Sequence, residues 1–327
     1  MKKIFLVFGI ILLLGLAACS SSNNENEDAN ANNNSDYPEE EIELVIPFDP
    51  GGASDMVSRA VGEELEDDLG VPVTPVNKEG ATGTVGMNYI KNSEPDGYTM
   101  GYVPVELSMV ESLDIADIVP DDFTLIARSQ TIPATITVPE DAPYDTIEEF
   151  IDYAKDNPGE ITFGTSGEGS IWHAAAASLA EEEDLDFNYV PFDGASEAVK
   201  SLLGGEVDAT SVSPSEIKSA LDSDDVKVLA VMSEEEDPII PDVPTLKESG
   251  IDLETEAWGG FVVPKDTPDE IVNTLEDSIE KAVDSSTFEE LAESQGVNPA
   301  FMPADEFDDF ANEEYDKYND LLPKIGF

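Results

Sequence analysis

The sequence predicts an α/β protein of two lobes around a cleft, and three observations carry that prediction. Apolar, β-branched runs alternate with amphipathic helical stretches along most of the chain. Glycine-rich loops precede three of those helices, at residues 50–55, 80–86 and 164–170. Two further apolar segments, at 123–138 and 257–263, sit where the chain would cross from one α/β set to another and return.

The first element is a leader. Lys2 and Lys3 precede an apolar core at 4–14, and Leu16-Ala17-Ala18-Cys19 has the form of a lipoprotein processing site. The apolar core is short for a membrane span and polar sequence comes after it, so export with cleavage is the expectation. Cys19 is the only cysteine, which excludes an intramolecular disulfide and makes it the expected lipidation site. Residues 20–41, rich in Asn, Ser and acids, read as a flexible tether.

The rest of the chain is organised around the segment from 43 to 69. Leu44-Val45-Ile46 suits a buried strand, and Pro47 and Pro50 end it because neither can donate to a sheet ladder. Gly51-Gly52 forms the turn, Ser54 or Asp55 is the expected N-cap, and Gly70 closes the helix. Met56, Val57, Ala60, Val61 and Leu65 form one apolar helical stripe. A strand, a glycine turn and a helix N-terminus together aim free N–H groups at an anion, although an ordinary ligand-free connection has the same pattern.

A second strand is expected at 71–76, then a glycine turn opening a helix from Thr84 to about Lys91, and a strand at 98–103. Thr146-Ile147-Glu148-Glu149 matches a capping box for a helix to Lys155. The opening logic then repeats, with a strand at 161–163, a loop at 164–170 and an alanine-rich helix at 171–182. Strands at 187–191, 207–210 and 227–232 and a helix at 196–203 come next, and the tail carries helical patterns at 269–283, 288–293 and 304–322. The expected division is a first lobe of 42–130 plus 258–327 and a second lobe of 131–257.

Composition narrows the function. Against 73 acidic residues stand 15 basic ones, a formal charge of −58, and loss of Lys2 and Lys3 with the leader takes the mature chain to −60. Such a surface repels nucleic acid and anionic headgroups. With 40% hydrophobic residues the chain has the means to fold, and the acidity reads as adaptation to high salt, where the Debye length falls to roughly 3 Å at 1 M. The acidic runs at 181–184 and 234–237 read as solvated surface.

Chemistry-bearing motifs are sparse. None of the glycine loops is a P-loop, and Gly80-x-x-Gly83-x-x-Gly86 has the wrong spacing for a dinucleotide fingerprint. One His and one Cys give no metal set, so no metal, cofactor or catalytic residue is expected. Ser166 and His173 suggest a serine hydrolase only weakly, since Gly164-Thr165-Ser166-Gly167 does not complete the nucleophile-elbow motif. With only Arg59 and Arg128 as arginines, neutral donors are the expected capture groups for an anion: backbone N–H, Ser54, Thr82, Thr84, Thr165 and Ser166. Arg59 and Lys78 remain open as contributors, and Trp172 and Trp258 as cleft aromatics or core.

These residues together resemble the Bug family, the extracytoplasmic solute receptors of tripartite tricarboxylate transporters. The carriers are Val45-Ile46-Pro47-Phe48-x-Pro50-Gly51-Gly52-x-x-Asp55-x-x-x-Arg59, Asn77-Lys78-x-Gly80-Ala81-x-Gly83-x-x-Gly86 and Pro95-Asp96-Gly97-Tyr98-Thr99. Further on they are Gly167-x-Gly169-Ser170-x-x-His173, Val190-Pro191-Phe192-x-Gly194, Leu203-Gly204-Gly205-x-Val207-Asp208, Pro241-Asp242-Val243-Pro244-Thr245 and Trp258-x-Gly260. The resemblance implies a two-lobed, periplasmic-binding-protein-like (Venus flytrap) fold that closes on a small organic carboxylate and delivers it to membrane permease subunits. It implies a monomer, tethered outside the cell membrane. Carried over residue by residue, the ligand contacts fall on Phe48, Gly51, Gly52, Ala53, Asp55, Gly80, Ala81, Thr82 and Gly83, with Ser54 beside them. In the second lobe they fall on Thr165, Ser166, Gly167, His173 and Asp193. The family typically has lysine at the position of Asp193 and often arginine at that of Glu235, so the partner of the ligand's distal group differs here. A ligand-sensing receptor without transport is the alternative reading.

Overall fold

The computed structural model describes residues 37–326; the leader, Cys19 and residues 20–36 of the expected tether lie outside them. Within the remainder of that tether, Tyr37 stacks on Tyr98 at 5.3 Å between centroids and its hydroxyl donates to the Gly97 carbonyl at 2.7 Å.

The elements run β1 (Ile42–Ile46), α1 (Ala53–Leu69), β2 (Val73–Asn77), α2 (Thr84–Lys91), β3 (Thr99–Pro104), β4 (Phe123–Pro133), β5 (Thr135–Pro139), α3 (Ile147–Asp156), β6 (Thr162–Thr165) and α4 (Ile171–Glu182). They continue β7 (Asn188–Pro191), α5 (Ala195–Leu203), β8 (Ala209–Thr210), α6 (Pro214–Leu221), β9 (Val226–Val231), β10 (Glu256–Pro264), α7 (Asp269–Val283), α8 (Ser286–Gln295), β11 (Asn298–Pro303) and α9 (Ala304–Lys324).

Two sheets result, in strand orders β11-β4-β10-β3-β1-β2 and β7-β6-β8-β5-β9. Strand–helix alternation favours parallel pairing, yet both sheets are mixed. Only β1–β2 and β1–β3 pair in parallel in the first sheet, and β10 and β11 close it antiparallel on β3 and β4. The reason is topological: β10 returns from the second sheet and enters the first from the opposite end.

The crossings are narrower than the sequence suggests. β4 stays in the first sheet to Pro133 and β5 begins the second at Thr135, so the switch falls at Ala134. There the Ala134 N–H donates to Thr255 O (3.0 Å), the Thr255 N–H to Met232 O (2.9 Å) and the Met232 N–H to Ala134 O (2.8 Å). One cyclic set of backbone bonds thus ties both crossings together.

Packing explains the alanine-rich helix. Ala175 and Ala176 of α4 lie in the core under the second sheet, whereas Ala174 and Ala177 join a core of the first sheet with Trp258, Phe307 and Tyr318. A helix buried on both sides between two sheets needs short side chains, so that neither sheet is held off. Trp172 is a core residue here, 8% exposed within the second-sheet cluster.

Candidate functional site

The loop between β1 and α1 is held from beneath by Asp55. Its carboxylate accepts the Gly51 N–H (2.9 Å), the Asn77 side-chain amide (2.8 Å) and the Arg59 guanidinium (2.9 Å), and Asn77 donates also to the Phe48 carbonyl (2.8 Å). Burial by itself would raise the Asp55 pKa. The hydrogen bonds from Arg59, Asn77 and Gly51 outweigh it and hold the carboxyl below its usual range. Asp55 is therefore not the N-cap of α1. That position is Gly52, with no side-chain cap, because the carboxylate is already turned back onto Gly51.

The second loop is left-handed throughout, with φ of +125° at Gly80, +47° at Ala81, +55° at Thr82 and +84° at Gly83. It meets the first loop at two glycines. A Cβ on Gly83 would stand 3.3 Å from the Phe48 ring, and one on Gly86 only 2.8 Å from Pro47. The triplet that fails as a nucleotide fingerprint is thus a packing device that seats α2 against the β1–α1 loop. Gly83→Val, strained at that φ and pressing on Phe48 and Met87, is expected to weaken solute binding at least about thirtyfold while a cooperative melt survives. Gly51→Val meets strain but open space, so its effect should be smaller; isothermal titration of both variants measures the order.

Both neighbouring cations are engaged. Arg59 is held by Asp55 and Asn77, and Lys78 pairs with Glu43 at 3.3 Å while its Nζ lies 3.8 Å over the Tyr89 ring.

In the second sheet unit, Thr165, Ser166, Gly167 and His173 gather around the start of α4. Ser170 caps the helix, accepting the His173 N–H (3.2 Å) and bonding Ser166 Oγ (3.0 Å) and the Gly167 carbonyl (2.9 Å). The Phe192 N–H donates to Thr165 O (2.9 Å), which brings Asp193 to the same end. His173 is buried, its Nδ1 accepts the Gly169 N–H at 3.2 Å, and burial lowers its pKa, so it is a neutral ring held by its own helix turn. The Ser166 hydroxyl donates to Ser170 Oγ at 3.0 Å, so its proton is directed at the helix cap and not at a general base.

A cavity of about 160 Å³ is lined by residues from the first sheet and its loops together with the start of α4. Phe48, Ala53 and Ser54 line it from the first loop and helix, and Ile171 from the first residue of α4. Tyr102, Glu106, Gln130 and Trp258 complete the polar part of its wall. Of the expected site residues the structure thus brings Phe48, Ala53 and Ser54 to the cavity, with Gly83 behind Phe48. Gly51, Gly52, Gly80 and Ala81 are exposed around the loops with Thr82 beside them, and Asp55 supports them. Tyr102, Glu106 and Gln130 carry almost no mark in the sequence; Glu106 interrupts an apolar run at 102–110, which is the one available signal.

A second, larger hollow of about 530 Å³ is lined by Arg128, Thr131, Glu234, Glu235, Glu236, Glu254, Glu256 and Phe310. Glu235 belongs to this hollow. The run at 234–237 is not wholly solvated either: Asp237 is 2% exposed and accepts the Ile239 N–H and the Asn298 side-chain amide, each at 2.9 Å. Among the described residues no group of His, Cys, Asp and Glu is arranged to hold a metal ion, and no helix is long and apolar enough to cross a membrane.

Comparison with known proteins gives a consistent answer. A family model for the tripartite tricarboxylate transporter family receptor matches residues 57–327. A Cupriavidus necator protein described as "UPF0065 protein in gbd 5'region" is 31% identical over 313 residues, 95% of each chain. The structure of a TctC solute-binding protein from Polaromonas superposes with a TM-score of 0.83 at 36% identity, covering 88% of this chain and 99% of that one. MatC from Rhodopseudomonas palustris, solved with bound malate, gives 0.65 at 27% identity, covering 88% and 100%. This chain belongs to the tripartite tricarboxylate transporter receptor family and, like those relatives, is a solute-binding protein rather than an enzyme.

Proposed function

We propose that the protein captures a small organic carboxylate outside the cell and delivers it to the membrane subunits of a tripartite tricarboxylate-type transporter. The observation that carries the carboxylate reading is the position of Ala53 and Ser54, the first two residues of a 17-residue helix, in the wall of a cavity shared with α4. The first N–H groups of a helix have no intrahelical acceptor, and their dipoles favour a negative guest. Arg59 and Lys78 are already paired, so uncharged donors do the capturing, which suits a protein of net charge −58 working in salt. The malate held by MatC is a guest of this chemical class.

In this reading 42–130 with 258–327 form one lobe and 131–257 the other, and they move about the Ala134–Met232–Thr255 bonds. Contacts to both lobes form together only when shut, so a ligand shifts the population toward closure by that difference in affinity. The leader pattern and Cys19 support a lipid anchor on the outer face of the membrane, with the polar stretch after Cys19 as tether. Titration calorimetry of the mature chain at high salt, against mono-, di- and tricarboxylates with and without hydroxyl and amino substituents, is expected to give at least one saturable binder. Silence across the series would overturn the reading.

A further inference from the structure

Most polar side chains around the 160 Å³ cavity are out of a guest's reach. Tyr102 is 1% exposed, Gln130 3% and Trp258 1%. Gln130 Nε2 donates to the Tyr102 hydroxyl at 3.0 Å, and Trp258 packs edge-on against Phe307 at 5.5 Å between centroids. Ser54 and Glu106 are the two that keep partial exposure. One stands in the first turn of α1, the other in the short turn at 105–108 after β3.

The Glu106 carboxylate has no counter-charge among the described residues. The titratable groups that face it are two phenols, Tyr102 from β3 and Tyr318 from α9, and β10 brings only Trp258 to the cavity beside it. Burial raises both phenol pKa values, so neither carries charge at neutral pH. Glu256 and Glu314, whose charges also act on Tyr318, have the same sign as Glu106. Lys317 lies 5.3 Å over the Tyr318 ring, but Glu314 holds its ammonium at 2.8 Å. Arg59 is taken by Asp55, and Arg128 by the Ala300 carbonyl and the Phe310 ring.

A sphere of the cavity's volume is about 7 Å across, so a guest carboxylate at the Ala53–Ser54 turn stands within that distance of Glu106. Two like charges at that range weaken binding about fiftyfold, taking an effective dielectric constant of ~20. Removing one of the charges removes the penalty. We propose that the protein captures its anionic solute together with a proton, which Glu106 takes on as the guest enters. This rests on the carboxylate-receptor reading and adds to it a control by pH. The proton comes from solvent, adds to one oxygen of the Glu106 carboxylate and leaves with the solute.

The electrostatics of the free protein point the same way. Burial already raises the Glu106 pKa, and an arriving negative charge raises it further. Affinity is therefore highest below the Glu106 pKa of the free protein, falls as pH rises, and levels off about fiftyfold weaker above that of the complex. His173 does not supply this proton site at neutral pH, since burial lowers its pKa.

The test is calorimetry of the mature protein at constant high salt from pH 5 to pH 9, with malate, succinate and the wider carboxylate panel. Each titration is run in two buffers of different ionisation enthalpy, which counts protons bound. The expected result is an uptake of about a third of a proton or more at pH 7 and an affinity that falls at least about tenfold across the range. Glu106→Gln should abolish the uptake and bind more tightly than the parent at pH 9. The proton count in the parent needs no variant, so it decides the matter even if Glu106→Gln fails to fold. Binding with no uptake at pH 7, or weaker binding by Glu106→Gln at pH 9, overturns this inference and leaves the carboxylate reading intact. Failure of every carboxylate at every pH overturns both.

Discussion

Replacing Asp55 with alanine is expected to lower stability by about 2–3 kcal/mol and to weaken solute binding at least about thirtyfold. The side chain is 5% exposed and accepts from Gly51, Asn77 and Arg59, so its removal frees the β1–α1 loop and strands the donors together. Arg59, 43% exposed, can rehydrate, which holds the loss below that of a fully buried pair. Because the folded-state pKa of Asp55 is depressed, its contribution is present above its ordinary value of 3.8 and is lost as pH falls through the folded value. The alanine variant should therefore differ from the parent by a constant amount at neutral pH, and the two should converge in acid. Urea titrations between neutral and acid pH measure this. Weaker binding with unchanged stability would mean that Asp55 touches the solute and does not clamp the loop.

Much of this site is readable from the chain because its construction is local. The β1–α1 and β2–α2 loops are glycine turns between a strand and a helix, and the spacing of Val57, Val61 and Leu65 fixes which face of α1 is buried. The alanine run of α4 and the stripe of α7 give helices at their observed bounds for the same reason. What escapes a sequence reading depends on partners far away along the chain. β11 carries Pro299 and Pro303, which argue against a strand when read alone, and it forms as a bulged edge strand on β4, where a missing N–H is tolerated. The antiparallel entry of β10 between β3 and β4 is set by the return crossing, not by any pattern within residues 256–264. α6 is a different case: Ser213 and Glu216 form a full capping box, a local signal that the expected element order nevertheless omits. Glu106 and Gln130 look, residue by residue, like polar interruptions of strands; only the closure of the cavity by Ile171 and Trp258 gives them a role.

Glu256 provides the second large effect, with the opposite sign in pH. It stands at the start of β10, at the edge of the acidic hollow, beside Arg128 and hydrogen-bonded by Thr131. Burial raises its pKa from 4.5 to about 7, and Arg128 offsets only part of that because Glu254 and Glu314 press on the same region. Arg128 itself is anchored elsewhere, donating to the Ala300 carbonyl at 3.2 Å and lying 4.9 Å over the Phe310 ring. A raised folded-state pKa means that the stability contributed by this group is fully present below its unfolded value and is lost as pH rises through about 7. Glu256→Gln keeps the shape of the protonated acid and cannot ionise. Its stability relative to the parent should be near zero at pH ~4.5 and grow to about 2 kcal/mol above pH ~7, below the ~3 kcal/mol ceiling that the shift allows because water reaches the hollow. The self-repulsion of a chain at −58 also changes with pH, but it acts on both proteins alike, so the difference between their urea midpoints isolates this one carboxyl. Parallel stability curves across that range would show that Glu256 is ionised at little cost and that Arg128 is its true partner.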